Sequence, residues 1–165
     1  MKIRDAFISD LPEIIWIYNA SIPTRTATAD TEPISVESRL DWFAKHNAES
    51  RPLWVLESEQ KVIAWIGLTS FYGGRPAYNA TAEISIYIAP QHQGKGYGTM
   101  LVRRMIEHCP SLNVKTLLAM YFDHNNASCR MFEKLGFQQQ GHLPEIAVLD
   151  GKKYGLIIAA YKIAE

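Results

Sequence analysis

Apolar positions in this chain follow two periods, and the switches between them divide it into elements. Lys2 to Phe7 alternates as a short strand with Ile3 and Phe7 on one face. Leu11, Ile14, Ile15 and Tyr18 then recur at i, i+3, i+4 and i+7, the stripe of a helix. Asp10 and Glu13 have the spacing of a capping box at its start, where Pro12 is tolerated. Ser21 to Pro33 is rich in Thr, has no period and reads as a loop. Ser35 caps a second predicted helix, with Val36, Leu40, Phe43 and Ala44 on its inner face.

Strand signals dominate the middle. Leu53–Glu57 and Val62–Phe71 are β-compatible runs joined by the polar turn Ser58-Glu59-Gln60-Lys61. Gly73, Gly74 and Pro76 make Tyr72–Asn79 a loop, and Ala82–Ala89 alternates until Pro90 ends it. A helix is predicted from about Gly98 to His108, carrying Leu101, Val102, Met105 and Ile106 and stopped by Pro110. Thr116–Phe122 is a strand, and Ala127–Leu135 a helix with Gly136 as its left-handed C-terminal residue. Two last strands, around Ile146 and over Tyr154–Tyr161, flank the hairpin turn Asp150-Gly151. No repeat or linker interrupts this order, so the expectation is one mixed α/β domain over residues 1–165.

Composition narrows the partners. Lys plus Arg and Asp plus Glu both count 17, and zero net charge argues against nucleic acid or an anionic membrane as partner. Cys109 and Cys129 are far from any CxxC spacing and are expected as packed thiols, not a disulfide. His92, His108, His124 and His142 lack metal-ligand spacing, so no metal is expected. No leader-like stretch opens the chain and no run approaches the ~18 apolar residues of a membrane span, so the expected compartment is the cytoplasm.

The chemistry concentrates in Ile86-Tyr87-Ile88-Ala89-Pro90-Gln91-His92-Gln93-Gly94-Lys95-Gly96-Tyr97-Gly98-Thr99. A strand here feeds a glycine-rich turn that opens a helix. Glycines permit positive φ and close approach of the backbone to a ligand, so several N–H groups converge on one point. The helix N-terminus adds partial positive charge there, which suits a phosphate or pyrophosphate with Lys95 nearby. The spacing is neither a Walker loop nor a dinucleotide fingerprint, since Thr99 stands where a third glycine would fall. A glycine turn without a ligand is the bland alternative.

Gln91-x-x-Gly94-x-Gly96 resembles the Q/R-x-x-G-x-G/A signature of the GCN5-related N-acetyltransferase superfamily. Asn125-Asn126-Ala127-Ser128 followed by Phe132-Glu133-Lys134-Leu135-Gly136-Phe137 resembles a second segment of that superfamily, and the order of elements fits along nearly the whole chain. Ile17-Tyr18-Asn19-Ala20, Arg39-Leu40-Asp41-Trp42-Phe43, Phe71, Arg75-Pro76-Ala77-Tyr78 and Glu83-Ile84-Ser85-Ile86-Tyr87 resemble its phosphinothricin N-acetyltransferase branch. The resemblance implies a mixed, mostly antiparallel sheet splayed at its centre, flanked by helices. It implies acetyl-CoA as co-substrate and the amino group of phosphinothricin, methionine sulfoximine or methionine sulfone as acceptor.

By the same resemblance, the main chain of Tyr87 and Ile88 pairs with the pantetheine arm, and Gln93, Gly94, Lys95, Gly96, Tyr97, Gly98 and Thr99 wrap the pyrophosphate. Asn125 and Ser128 reach the pantetheine from the next strand's end, and Ser85 stands at the acceptor. Glu83 is the candidate base, acting through a water. It is a carboxylate in an apolar strand where burial would raise its pKa, although the alternation also permits an outward side chain. Arg75 could grip a carboxylate or phosphinate through paired hydrogen bonds, or simply be solvated. Tyr78 lines the acceptor pocket or packs under the loop, while Trp54 and Trp65 read as sheet core.

Phe132 departs from the pattern. Many superfamily members carry at this position a tyrosine that protonates the leaving thiolate, and phenylalanine cannot. No serine or cysteine has a recognisable activating base, so direct attack by the amine is expected. The long apolar run Leu156–Tyr161 makes a homodimer plausible, or is an internal core strand. Two rivals stand beside this reading: acetylation of another amine, such as a polyamine or a protein N-terminus, and an acyl-CoA sensor without turnover.

Overall fold

Strands β2 (Leu53–Ser58) and β3 (Lys61–Ser70) are buried at nearly every position instead of every second one. A sheet built from such strands must be covered on both faces. The computed structural model, which describes residues 1–164, meets this demand with one seven-stranded sheet. The remaining strands are β1 (Lys2–Asp5), β4 (Thr81–Ile88), β5 (Thr116–Phe122), β6 (Gln138–Leu149) and β7 (Lys152–Lys162), and the order is β1-β2-β3-β4-β5-β7-β6. Only β4 and β5 run parallel; every other pair is antiparallel.

Helices α3 (Tyr97–His108) and α4 (Asn126–Lys134) cover one face, packing Leu101, Val102, Met105 and Phe132 on Ala82, Ile84 and Leu117. Helix α1 (Leu11–Ser21) covers the other, where Leu11, Ile14, Ile15 and Ile17 meet Val55, Trp65 and Tyr87. β4 therefore divides its side chains by parity. Ala82, Ile84, Ile86 and Ile88 enter the α3 core, while Glu83, Ser85 and Tyr87 turn to the α1 face.

Three expectations from the sequence change. The first strand stops at Asp5, and Phe7 is 61% exposed, with the Arg4 guanidinium 5.1 Å from its ring centroid. Asp10 does not cap α1 with its side chain. Its carboxylate accepts from Phe7 N–H at 2.7 Å and from two nitrogens of Arg4 at 2.7 and 3.0 Å, pinning the first turn to β1. Ser35 does accept from Ser38 N–H, but the segment begins as a 3-10 turn and leaves only a short helix α2 (Leu40–Ala44). That shift in pitch exposes Leu40 and Ala44 and turns Arg39 and Trp42 inward, beside Val36 and Phe43, which take the inner positions expected of them.

The closing hairpin is longer than its predicted parts, because β6 begins at Gln138 and reaches Leu149 through two irregularities in register. Asp150 and Gly151 both take positive φ at the turn, as a tight hairpin requires. β7 lies between β5 and β6, so the apolar run Leu156–Tyr161 is an interior strand. The exposed edge is β6, which shows Leu143, Ile146 and Val148 to solvent.

Candidate active site

The sheet opens at its centre. β4 and β5 pair only from Thr81 to Glu83 against Thr116 to Leu118, although both strands run on. Beyond Glu83 the β5-facing edge of β4 has no strand beside it, which leaves main-chain donors and acceptors there for an extended ligand, while the Tyr87 main chain faces Trp65 of β3. The glycine loop lies at the mouth of this gap. Gly94 and Gly96 have φ of +73° and +82°, and a Cβ built on either would meet nothing within 4 Å. Their lack of a side chain thus answers a backbone demand and leaves open space over the first turn of α3. Gly98 works differently. It is buried with ordinary φ, and a Cβ there would sit 3.0 Å from Met131 Sδ, so its role is close packing of α3 on α4.

Lys95 is exposed at the loop tip, and Tyr97 and Thr99 begin the helix. Gln93 donates from Nε2 to the Ile88 carbonyl at 3.1 Å, which ties the loop to the end of β4. Asn125 is the N-cap of α4, accepting from Ser128 N–H at 3.1 Å, and its Nδ2 donates to the Thr26 carbonyl at 3.0 Å. Both polar ends of Asn125 are thereby engaged within the protein. Ser128 stands in the first turn of α4 at the same end of β5.

Glu83 turns into a cavity of about 500 Å³ on the α1 side, also lined by Trp42, Lys45, His46, Arg51, Thr69 and Ser70. Burial pushes its carboxyl pKa up, opposed by the Thr69 hydroxyl 3.5 Å from Oε2. Arg51 is 9% exposed and gives its guanidinium to Ser70 Oγ, Ser50 O and Asn79 O at 2.8 to 3.1 Å. Those acceptors are neutral, and burial lowers the pKa of this cation. Arg51 also holds both ends of the loop that carries Arg75 and Tyr78. These two residues are exposed beside the cavity, whose wall there is Ser70, Gly73 and Gly74. The Tyr78 ring packs edge-on against Phe71 and Tyr72.

Ser85 lines a second, smaller cavity of about 200 Å³ together with Tyr18, Arg39, Trp42, Trp65 and Tyr87. Trp42 forms a wall of both cavities. The segment after α1 closes over this side as a strap. Arg25 O accepts from His124 Nε2, Thr26 O from Asn125, and Ala27 O from the Tyr87 hydroxyl, so the strap bridges β4 to the far side of the gap. His124 is stacked on Tyr154 with centroids 3.9 Å apart. No group of three or more His, Cys, Asp or Glu among the described residues could hold a metal ion.

The structure thus sets Glu83 and Ser85 on cavity walls and leaves open space above Gly94 and Gly96; Tyr18, Arg39, Trp42, Arg51 and Trp65, to which the sequence assigned no site role, line the same two cavities. Tyr18, Arg39 and Trp42 lie in the segments that resemble the phosphinothricin branch, and Arg51 is a cation two residues before the buried start of β2. The walls themselves come together through contacts distant in sequence.

The profile of the Acetyltransferase (GNAT) family matches residues 11–137. The Bacillus subtilis (strain 168) protein YwnH, whose name assigns it provisionally to phosphinothricin acetyl transfer, is 46% identical over 165 residues, covering 99% of this chain and 100% of that one. An L-methionine sulfoximine/L-methionine sulfone acetyltransferase of Pseudomonas aeruginosa is 30% identical over 156 residues, 93% of this chain and 87% of that protein. The crystal structure of a phosphinothricin acetyltransferase from Sinorhizobium meliloti in complex with acetyl-CoA superposes with a TM-score of 0.91 at 26% identity, covering 99% of this chain and 88% of that one.

Proposed function

This chain belongs to the Acetyltransferase (GNAT) family and is an acetyl-CoA-dependent N-acetyltransferase, and we propose that over residues 1–165 it forms one domain acetylating a small amino-acid-like acceptor of the phosphinothricin, methionine sulfoximine or methionine sulfone type. One observation carries this reading: Glu83 faces a cavity at the point where β4 parts from β5, on the strand that leads into the glycine cradle. Open space above Gly94 and Gly96, with the α3 N-terminus beneath it, fits a pyrophosphate. Gln93, Gly94, Lys95, Gly96, Tyr97, Gly98 and Thr99 would hold that group, and the main chain of Ile88 with Asn125 and Ser128 the arm leading from it.

When bound, acetyl-CoA supplies an acetyl group activated as a thioester. The residues of this chain prepare the amine. Glu83 accepts the ammonium proton through a water, and its raised pKa brings it closer to working pH than an exposed glutamate. Arg75, Tyr78 and Ser85 border the acceptor, with the strap as the opposite wall. Attack is direct, because neither thiol lines the Glu83 cavity: Cys109 is buried in the core on the α3 side and Cys129 packs against that core. Lys45 and Arg51 in the Glu83 cavity disfavour a polyamine as acceptor.

We also place the protein in the cytoplasm, where acetyl-CoA is supplied; no helix among the described residues is long and apolar enough to cross a membrane. Support for a homodimer rests on the exposed apolar side chains of edge strand β6, since β7 is interior. Light scattering behind a sizing column tests the dimer. Thiol release from acetyl-CoA with phosphinothricin, methionine sulfoximine, methionine sulfone, the common amino acids and spermidine tests the acceptor. Saturable release with the sulfoximine, sulfone or phosphinothricin is expected; release with spermidine alone would overturn the proposal.

A further inference from the structure

Arg51 is a buried cation whose partners are all neutral. A tight turn sets its backbone: Asn47 Oδ1 accepts from the main chain and the hydroxyl of Ser50 at 2.9 Å, and the main chains of Asn47 and Arg51 exchange hydrogen bonds at 2.9 and 3.1 Å. From this base the guanidinium reaches three segments at once. Nη1 donates to the Ser50 carbonyl at 2.8 Å, and Nε to Ser70 Oγ at the end of β3 at 3.1 Å. Nη2 donates to the carbonyls of Asn79 and Thr81, where β4 begins, at 2.9 and 3.5 Å. No ion pair among the described residues involves Arg51. Burying an unpaired charge is costly, so what recommends arginine here is its rigid fork, whose donors point in fixed directions.

Ser70 and Asn79 bracket the loop that carries Arg75 and Tyr78, and this loop needs holding. Tyr72, Gly73 and Gly74 have successive φ of 48°, 74° and 73°, and the left-handed region is one that a tyrosine resists. The rings of Tyr72 and Tyr78 are 66% and 38% exposed and pack on Phe71 and on each other, so the top of the loop buries little. Its exit is tied to β5, since the Ala80 carbonyl accepts from the N–H groups of Lys115 and Thr116. Its entry folds back on Ser70: a Cβ on Gly74 would sit 3.3 Å from Ser70 Cβ. Arg51 holds that serine.

We infer that Arg51 is a positioning residue: it fixes the loop that rims the Glu83 cavity and through it sets how well the acceptor is held. The kinetic half of this rests on the acetyl-transfer reading above; the hold on the loop does not. Arg51 acts at a distance from the acceptor, because hydrogen bonds within the protein engage four of its N–H groups and the residue is only 9% exposed.

The test compares wild type, Arg51→Met, Arg51→Lys and Ser70→Ala by hydrogen exchange and by steady-state kinetics with the acceptor that wild type uses best. In Arg51→Met, amides of residues 71–80 should exchange at least about tenfold faster, with α3 and α4 as in wild type. Acceptor KM should rise at least about tenfold, kcat stay within about threefold, and acetyl-CoA affinity hold. Arg51→Lys keeps the charge but cannot span three segments from one nitrogen, so it should follow Arg51→Met. Ser70→Ala removes only the Nε partner and should raise loop exchange and KM about twofold to fivefold, which keeps the test open if Arg51→Met does not fold. Unchanged loop exchange, or a wild-type KM in Arg51→Lys, overturns the inference. So does faster loop exchange with KM untouched, which would leave acetyl transfer standing and Arg51 a structural tie. If wild type acetylates none of the proposed acceptors, that reading falls by itself, and loop exchange alone upholds or overturns the hold of Arg51.

Discussion

Replacing Gly96 by alanine separates the glycine loop as a ligand cradle from the glycine loop as a turn. The backbone there has φ +82° and ψ 2°, a left-handed conformation that costs an L-residue roughly 1–2 kcal/mol. No steric cost adds to it, because the new Cβ would meet nothing within 4 Å. For a chain of this size the penalty corresponds to a fall in Tm of about 2–8 °C. Gly136→Ala is the control. It has the same backbone problem at φ +97°, and its Cβ would also press on the Tyr161 ring at 3.2 Å, so its fall in Tm should equal or exceed that of Gly96→Ala. The two must differ in acetyl-CoA affinity. In Gly96→Ala the methyl occupies space meant for the phosphates, and Kd should rise at least about tenfold, worth ~1.4 kcal/mol; in Gly136→Ala it should stay as in wild type. Scanning calorimetry and titration calorimetry on the three proteins give both quantities. Equal acetyl-CoA affinity in all three, with the expected losses of Tm, would refute the cradle and leave only a turn.

Asp10→Ala removes three hydrogen bonds from a carboxylate paired with Arg4. It should cost about 2 kcal/mol, or roughly 4–8 °C in Tm. Because Arg4 and the Phe7 N–H lower the Asp10 pKa from 3.8, this stabilisation is present above that value and is lost as pH falls through the folded-state pKa. Thermal melts of the two proteins should therefore converge in acid. Phe132 is 5% exposed and stacked on Tyr121 with centroids 5.7 Å apart. Since a CoA thiolate leaves readily near neutral pH, Phe132→Tyr should change turnover by less than about tenfold in steady-state assays; a larger gain would show that thiolate protonation limits the wild type.

What the sequence disclosed and what it withheld follow a physical division. β5 was legible to the residue, α4 with its Gly136 terminus to within one residue at each end, and the Asp150-Gly151 hairpin turn as well, because each is fixed by local propensity and turn chemistry. The glycine loop was legible for the same reason. Asp10 had the spacing of a cap, yet Arg4 from a neighbouring strand drew its carboxylate away. Val36 and Phe43 pack inward as expected, but Leu40 and Ala44 do not, because a 3-10 turn precedes α2 and shifts the helical phase. An apolar run such as Leu156–Tyr161 shows that a strand is buried, but not which strands flank it. The wall of Arg39, Trp42, Arg51 and Trp65 stayed hidden since it forms only when β3, β4 and the segment after α1 meet. Arg75 and Tyr78 looked suited to the acceptor by type, and the fold sets them at the rim, with Arg51 holding their loop.

The central claim is that Glu83 serves acetyl transfer at the point where the sheet opens. Wild type and Glu83→Gln should be compared side by side for acetyl-CoA affinity and for thiol release with the acceptor that wild type uses best. The account predicts equal affinity and turnover in Glu83→Gln lower by about a hundredfold or more at pH 7. It also predicts that wild-type activity rises with pH through a group titrating above the ordinary glutamate value of 4.5, and that this limb is missing from the variant. Turnover in Glu83→Gln within a few fold of wild type, with the same acid limb, would contradict it.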